Sequence, residues 1–513
     1  MLHQRASGLL LHPTSFPSPF GVGDLGAGAY QFIDFLAASE QRIWQILPLG
    51  PTGYGNSPYL CYSALALNPL LISPEELVKD GLLAPERLKT APTFDPERAE
   101  FEKAREYKET LFQEAYAQFS TQSLLKSEFA EFCQAQKSWL EDYALFMALK
   151  KYHGGAGWHT WDAALAKREP QALETWRRQL APEIDYQKFL QFLAFRQWGA
   201  LKDYAAENHI AIMGDIPIYV AHDSADVWAN PENFCLNPET GLAALMAGVP
   251  PDYFSETGQL WGNPVYDWEA LRQNHFAWWL RRFQGLLQLV DIIRIDHFRG
   301  FAGYWAVPEG ETTAMNGEWL PAPGEGLFTV LRGVMGDVPI VAEDLGVITE
   351  DVEKLRDDFG FPGMKVLQFA FDSDRGNPFL PFNYLNRRAV VYTGTHDNDT
   401  TVGWFEARSP EEQKRVTDYL GCVCPEGIHW SLIRLALGSV ANTAIFPLQD
   451  ILGLGNDARM NLPGSAEGNW GWRYHSEDLT PELAQQLAEV TELYGRRIYF
   501  PPAEDQDSQE WGE

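Results

Sequence analysis

The sequence predicts a (β/α)8 barrel with helical insertions between its strands. Three observations carry that reading. Short, near-continuous apolar runs recur along the chain and end in polar or charged residues. Helical patterns lie between many of them. One long stretch, 75–205, breaks the rhythm and reads as mainly helical. Near-continuous apolar runs fit strands buried on both faces, as in a parallel sheet. Their alternation with helices is the mark of βαβ units.

In chain order the runs are 43–49, 211–218, 291–296, 338–343, 364–369, 389–393 and 443–448. Helical patterns between them include 273–290 and 349–359. Inside the break, 96–119 is charged and helical. Segment 127–151 places Phe129, Phe132, Leu140, Tyr143 and Leu149 at near-helical spacing, and 186–207 is similar. The expected organisation is therefore 1–74 as the first part of the barrel and 75–205 as a mainly helical insertion. The rest of the barrel spans 206–500, with a lid loop near 248–264, and 501–513 is a frayed acidic tail.

Composition narrows the partners. The chain has 513 residues, and 40 Lys+Arg against 70 Asp+Glu give a net charge of −30. Nucleic acid and anionic lipid are polyanions and are excluded as natural partners. A neutral ligand suits this charge. Most of the 18 Trp, 20 Tyr and 30 Phe are read as core or interface filler and a minority as sugar-stacking platforms, since a flat ring complements the C–H face of a pyranose. Five cysteines, an odd number, with a C-x-C at Cys422 and Cys424, make neither a disulfide framework nor a C-x-x-C site. Gly8 to Leu11 is too short for a signal-peptide core, and no segment approaches the roughly 18 apolar residues that span a bilayer. The expectation is a soluble protein of the cytoplasm, or of the plastid stroma in a plant.

Three carboxylates stand at or just past strand ends. Asp296 ends 291–296, Glu343 ends 338–343, and Asp397 follows 389–393 in Thr395-His396-Asp397-Asn398-Asp399. Each alone also fits a helix N-cap. Together, on a barrel whose strand ends converge, they fit glycosidic-bond chemistry, which needs one ionised and one protonated carboxyl. Arg294 lies two residues before Asp296, so both point to the same side of a strand. A guanidinium there favours a carboxylate nucleophile, although a purely structural ion pair has the same spacing. His396, Asp397 and Asp399 also permit a metal reading, but the spacing matches neither H-x-x-x-H nor a calcium loop.

These motifs resemble those of the amylomaltases. Those enzymes are the 4-α-glucanotransferases, or disproportionating enzymes, of glycoside hydrolase family 77 in the α-amylase clan. The resemblance rests on RIDHFRGF at 294–301, AEDLG at 342–346 and THDNDT at 395–400. It extends to SPY at 57–59, GVPPDYFSETGQLWGNP at 248–264, GMKVLQFAF at 363–371, RMN at 459–461 and NWGWR at 469–473. It covers nearly the whole chain. It implies that Asp296 is the nucleophile, Glu343 the general acid/base, and Asp397 the third carboxylate that stabilises the transition state. Arg294 and His396 border the same sugar. Asp215, in Gly214-Asp215-Ile216-Pro217, matches the clan's first motif. Ordinary α-amylases end that motif in His where Val220 stands, a departure that amylomaltases share. Asp252 and Asn469, inside the shared strings, are implied sugar contacts.

The resemblance implies double displacement. Asp296 attacks the anomeric carbon of an α-1,4 bond while Glu343 protonates the leaving oxygen; Glu343 then deprotonates the 4-OH of an acceptor glucan. Asp296, as a like charge, should raise the pKa of Glu343. A sugar must also win over water. Tyr253, Phe254 and Trp261 in the lid, with Tyr59 opposite, offer stacking surface and cover. The same aromatics packed inward make an ordinary surface loop. Tyr54 is a candidate for an outlying glucan contact. Maltooligosaccharides are the expected partners, cyclic products are an option, and no cofactor or metal is implied. An α-1,4-glucan hydrolase and a silent glucan-binding barrel remain as alternatives.

Overall fold

The computed structural model describes residues 2–119, 123–251, 255–465 and 467–500. The expected lid residues Asp252, Tyr253 and Phe254, the side chain of Tyr54 and the tail 501–513 lie outside the described residues. The described strands are β1 (Ala6–Leu10), β2 (Ile43–Gln45), β3 (Ala211–Ile216), β4 (Leu245–Val249), β5 (Gln259–Pro264), β6 (Ile292–Ile295), β7 (Gly303–Pro308), β8 (Glu318–Pro321), β9 (Ile340–Ala342), β10 (Gly363–Val366), β11 (Ala389–Tyr392) and β12 (Thr443–Pro447).

Eight of them pair in parallel in the order β10-β11-β12-β1-β2-β3-β6-β9. The two edges meet. The Ala342 amide donates to the Pro362 carbonyl at 2.9 Å, and the Met364 amide to Asp344 Oδ1 at 2.7 Å. The result is the expected barrel. Seven of its strands fall within the apolar runs. The eighth, β1, does not: ASGLL carries only two large apolar side chains. Gly8 belongs there for a steric reason, since a Cβ would sit 2.1 Å from the Ile43 carbonyl oxygen.

Strand alternation sorts side chains into two layers. Ile293 and Ile295 face the outer layer under the helices, whereas Ile292 joins Met213, Val341, Met364, Val390 and Ile445 inside the barrel. The inward row of β6 therefore continues from Ile292 through Arg294 to Asp296. That row delivers charge to the carboxyl end of the barrel.

Between β2 and β3 run the helices Phe101–Phe119, Ser123–Ala135, Lys137–Tyr152, Pro170–Gln179 and Ala181–Glu207. The segment expected as one helix at 127–151 is two, divided at Gln136. Buried side chains fasten this block to the barrel. Lys108 Nζ reaches Asp24 Oδ2 at 3.1 Å and the Leu70 carbonyl at 2.7 Å. The amides of Gln191 and Gln197 each bond both backbone groups of one residue, Leu67 and Ser73 respectively.

A second, antiparallel sheet has the order β5-β4-β7-β8. Its strands leave the carboxyl ends of β3 and β6, so it stands over the rim where active sites of barrels form. The expected lid is thus strand at its two ends, 248–249 and 259–264. Ahead of β5, Gly258 has φ +66 with no room for a Cβ against the Val249 carbonyl.

Candidate active site

Arg294 and Asp215 are register partners on β6 and β3, and both are buried. Arg294 Nη1 lies 2.5 Å from Asp215 Oδ2 and 3.1 Å from Asp296 Oδ1. One guanidinium thus binds a fully buried carboxylate and a partly open one. Burial opposes its charge, but Asp215 and Asp296 more than restore it and hold the Arg294 pKa above the ordinary value. Burial raises Asp215, with Arg294 opposing.

Glu343 follows β9, the neighbour of β6. Its Oε2 accepts from the His297 amide at 2.6 Å and its Oε1 from the Leu345 amide at 3.0 Å. The first bond depends on an unusual backbone. His297 has φ 50 and ψ 50, a left-handed conformation rare for a side-chain-bearing residue. Strain of this kind gathers at functional sites. Burial pushes the Glu343 carboxyl up to about 8; Asp296 adds to the rise, while Arg294 and the two amides oppose it. The sequence assigned the rise to Asp296, but desolvation is the larger cause.

Asp397 follows β11 and is half exposed. Its Oδ1 accepts from Asn461 Nδ2 at 2.7 Å and lies 3.4 Å from His396 Nε2. Arg459 Nη2 donates to the Asp397 carbonyl at 2.7 Å. Asp399 turns elsewhere, its Oδ2 accepting from Asn456 at 2.7 Å. The histidine and two aspartates of this turn therefore serve different partners.

Tyr59 joins the two halves. Its hydroxyl donates to Asp215 Oδ2 at 2.7 Å and lies 2.9 Å from His396 Nε2. Its ring stacks on His396 at 5.2 Å and 14°, and Trp470 packs against both. Tyr59→Phe keeps the stack and removes the hydroxyl, leaving Asp215 one donor fewer in a buried place. An unmade bond of that kind costs about 1–3 kcal/mol, so kcat/KM should fall on the order of 10- to 100-fold. Steady-state kinetics with maltotriose check this, and an unchanged kcat/KM contradicts it.

Trp261, on β5, is half-buried and meets His297 edge-on at 4.9 Å, with Tyr219 behind it. It bounds the backbone that holds Glu343. Asn469, an expected sugar contact, bonds within its own loop. Its Oδ1 accepts from the Leu462 amide at 2.9 Å and its Nδ2 donates to the Ser465 carbonyl at 2.8 Å. It closes the loop that presents Asn461 to Asp397 and Trp470 to His396. Val220 is buried, and its carbonyl accepts from Asn263 Nδ2 at 2.9 Å, anchoring the end of β5.

The structure adds groups that the sequence did not single out. The His297 and Leu345 amides act through backbone geometry, which residue identity does not reveal. Asn461 and Arg459 sat in the RMN string without a role. Burial of the whole cluster yields a titration sign. An acid that must be protonated is active below its pKa, so kcat/KM should be flat through neutrality and fall as pH rises through about 8. A pH profile that stays level to pH 9.5, about 1.5 units above that value, contradicts the assignment.

A parallel (β/α)8 barrel whose strand ends gather carboxylates, one guanidinium and aromatic walls defines an enzyme of glycosidic-bond chemistry. The family model described as 4-alpha-glucanotransferase, glycoside hydrolase family 77, matches residues 11–480. The 4-alpha-glucanotransferase of Synechocystis sp. is 67% identical over 502 residues, 97% of this chain and 99% of that one. That of Thermus thermophilus is 50% identical over 499 residues, 95% and 99% respectively. The solved amylomaltase of Streptococcus agalactiae, in complex with acarbose, superposes with a TM-score of 0.94 at 39% identity, covering 96% of this chain and 100% of that one. The chain belongs to the 4-alpha-glucanotransferase family.

Proposed function

We propose that this enzyme moves α-1,4-linked glucan segments from a donor maltooligosaccharide to the 4-OH of an acceptor glucan by double displacement. Asp296 is the nucleophile and Glu343 the general acid. Asp296 forms a bond to the anomeric carbon as Glu343 gives its proton to the departing 4-oxygen. The remaining chain leaves as a free sugar. Glu343, now a carboxylate, takes the proton of an incoming 4-OH, whose oxygen displaces Asp296 with the original configuration restored. Asp397 and His396 grip the same sugar as positive charge develops at its anomeric carbon, and Arg294 keeps Asp296 and Asp215 in place.

The observation that carries this reading is the pairing on neighbouring strand ends. Asp296 faces a buried guanidinium, and Glu343 is held up to about 8 beside it. Two carboxyls whose environments differ in this way divide into nucleophile and acid. The names of the relatives supply the acceptor, a glucan rather than water. Trp261, Tyr59, Asp252, Tyr253, Phe254 and Asn469 are the proposed substrate contacts. Segment 75–205 is the insertion that buttresses the barrel. Among the described residues no helix is long and apolar enough to cross a membrane. The five free cysteines suit a reducing compartment, and we place the enzyme in the cytoplasm.

Maltotriose tests the function. Transfer yields glucose together with a ladder of maltooligosaccharides longer than the substrate. New reducing ends without longer products mean hydrolysis and defeat the proposal.

A further inference from the structure

Tyr59 biases the proton of His396 toward Nε2. The tyrosine hydroxyl donates to Asp215, so its oxygen accepts from His396 Nε2. Burial lowers the His396 pKa and so favours the neutral ring. Its Nδ1 is therefore a bare acceptor. That atom is buried and has no partner among the described residues. The same holds for one other imidazole nitrogen nearby, His12 Nδ1. His12 and His396 are 6% and 5% exposed.

Both line one small cavity, with Thr395, Asn398, Thr400 and Gln449. The placement follows from topology. His12 stands two residues past β1, Gln449 two past β12, and His396 four past β11, on three adjacent strands of the barrel's carboxyl rim. Residues at that rim serve chemistry more often than stability. The cavity offers ≈ 20 Å³ to a water centre. About 10–15 Å³ suffices for one water, which needs two to four polar partners. No direct bond joins the two rings among the described residues.

We propose that His12 is a positioning residue for His396, acting through one buried water. His12 Nδ1–H donates to the water, and the water donates to His396 Nδ1. This locks His396 as the Nε2–H tautomer and aims that proton at Tyr59 and Asp397, because the bond on one imidazole nitrogen sets the state of the other. His12 itself stays neutral, since burial pushes it down to about 3. The inference rests on the proposed sugar-gripping role of His396.

The test combines a mutant cycle with imidazole nitrogen NMR on the full enzyme. In ¹⁵N-histidine-labelled enzyme, His396, assigned by its loss in His396→Ala, should show an Nε2–H tautomer with a hydrogen-bonded Nδ1. His12→Phe, which fills the cavity and removes the donor, should mix the tautomers. It should also lower kcat/KM on maltotriose on the order of tenfold, as loss of an imidazole-orienting partner does elsewhere. His12→Asn, which retains a donor, should recover most of that loss. In the His396→Ala background, His12→Phe should have no further effect. Additive losses, or an unbonded Nδ1 in the unmutated enzyme, overturn the inference and leave the proposed function standing. Full activity in His396→Ala overturns the role of His396 and the inference with it. The unmutated spectrum decides the matter even if His12→Phe fails to fold.

Discussion

Asp296→Asn is expected to abolish transfer, lowering turnover of maltotriose by at least about 10⁴-fold while fold and glucan affinity survive. The substitution replaces one oxygen by NH₂ and keeps the volume. The buried Arg294–Asp215 pair at 2.5 Å remains, so the cluster keeps its main internal bond. What disappears is the atom that bonds to the anomeric carbon. The amide cannot form a glycosyl ester, and no neighbouring carboxyl replaces it. Asp215 is fully buried and held by Arg294 and Tyr59, and Asp397 is tied to Asn461. Turnover together with calorimetric titration by maltoheptaose separates chemistry from binding. A variant retaining more than about a hundredth of normal turnover contradicts the assignment.

The second large effect is expected at Glu343. Glu343→Gln should lose on the order of 10³-fold on maltotriose, within the usual range for a general acid. The loss should depend on the leaving group. Fluoride departs without a proton, so a maltosyl fluoride donor should restore formation of the glycosyl-enzyme. Azide needs no general base, so it should accept the sugar from the variant. The fall in kcat/KM above about pH 8 should also vanish, because the group responsible has been removed. Equal losses on maltotriose and maltosyl fluoride would place Glu343 outside proton transfer.

The barrel was legible because buried parallel strands are apolar on both faces, and seven runs stood out for that reason. β1 was hidden because its contribution is steric. Gly8 admits the neighbouring strand, and a glycine adds nothing to an apolar run. The β4–β5 pair was read as loop because its glycines, prolines and aromatics resemble a mobile cover. β4 pairs with β5 on one side and with β7, which begins only at Gly303, on the other, a partner that the local pattern does not contain.

The site divided in the same way. Asp296, Glu343, Asp397, Arg294 and His396 were visible as residue types at strand ends, and the structure brings them together with Asp215 and Tyr59. The supports were not visible. The His297 amide works through a left-handed backbone, and His12 stands just past a strand the apolar pattern did not reveal. The origin of the raised Glu343 pKa was also misattributed. Charge is countable in a sequence, whereas desolvation depends on everything packed around the group.

The central claim is a covalent glycosyl-enzyme on Asp296. Glu343→Gln, which should form that species quickly and resolve it slowly, can be mixed with a maltosyl fluoride lacking its non-reducing-end 4-OH, so that the donor cannot serve as acceptor. Intact mass spectrometry followed by peptide mapping then reads the product. One maltosyl group is expected on the peptide containing Asp296. A maltosyl group on any other side chain, or fluoride release with no adduct at any time, would contradict it.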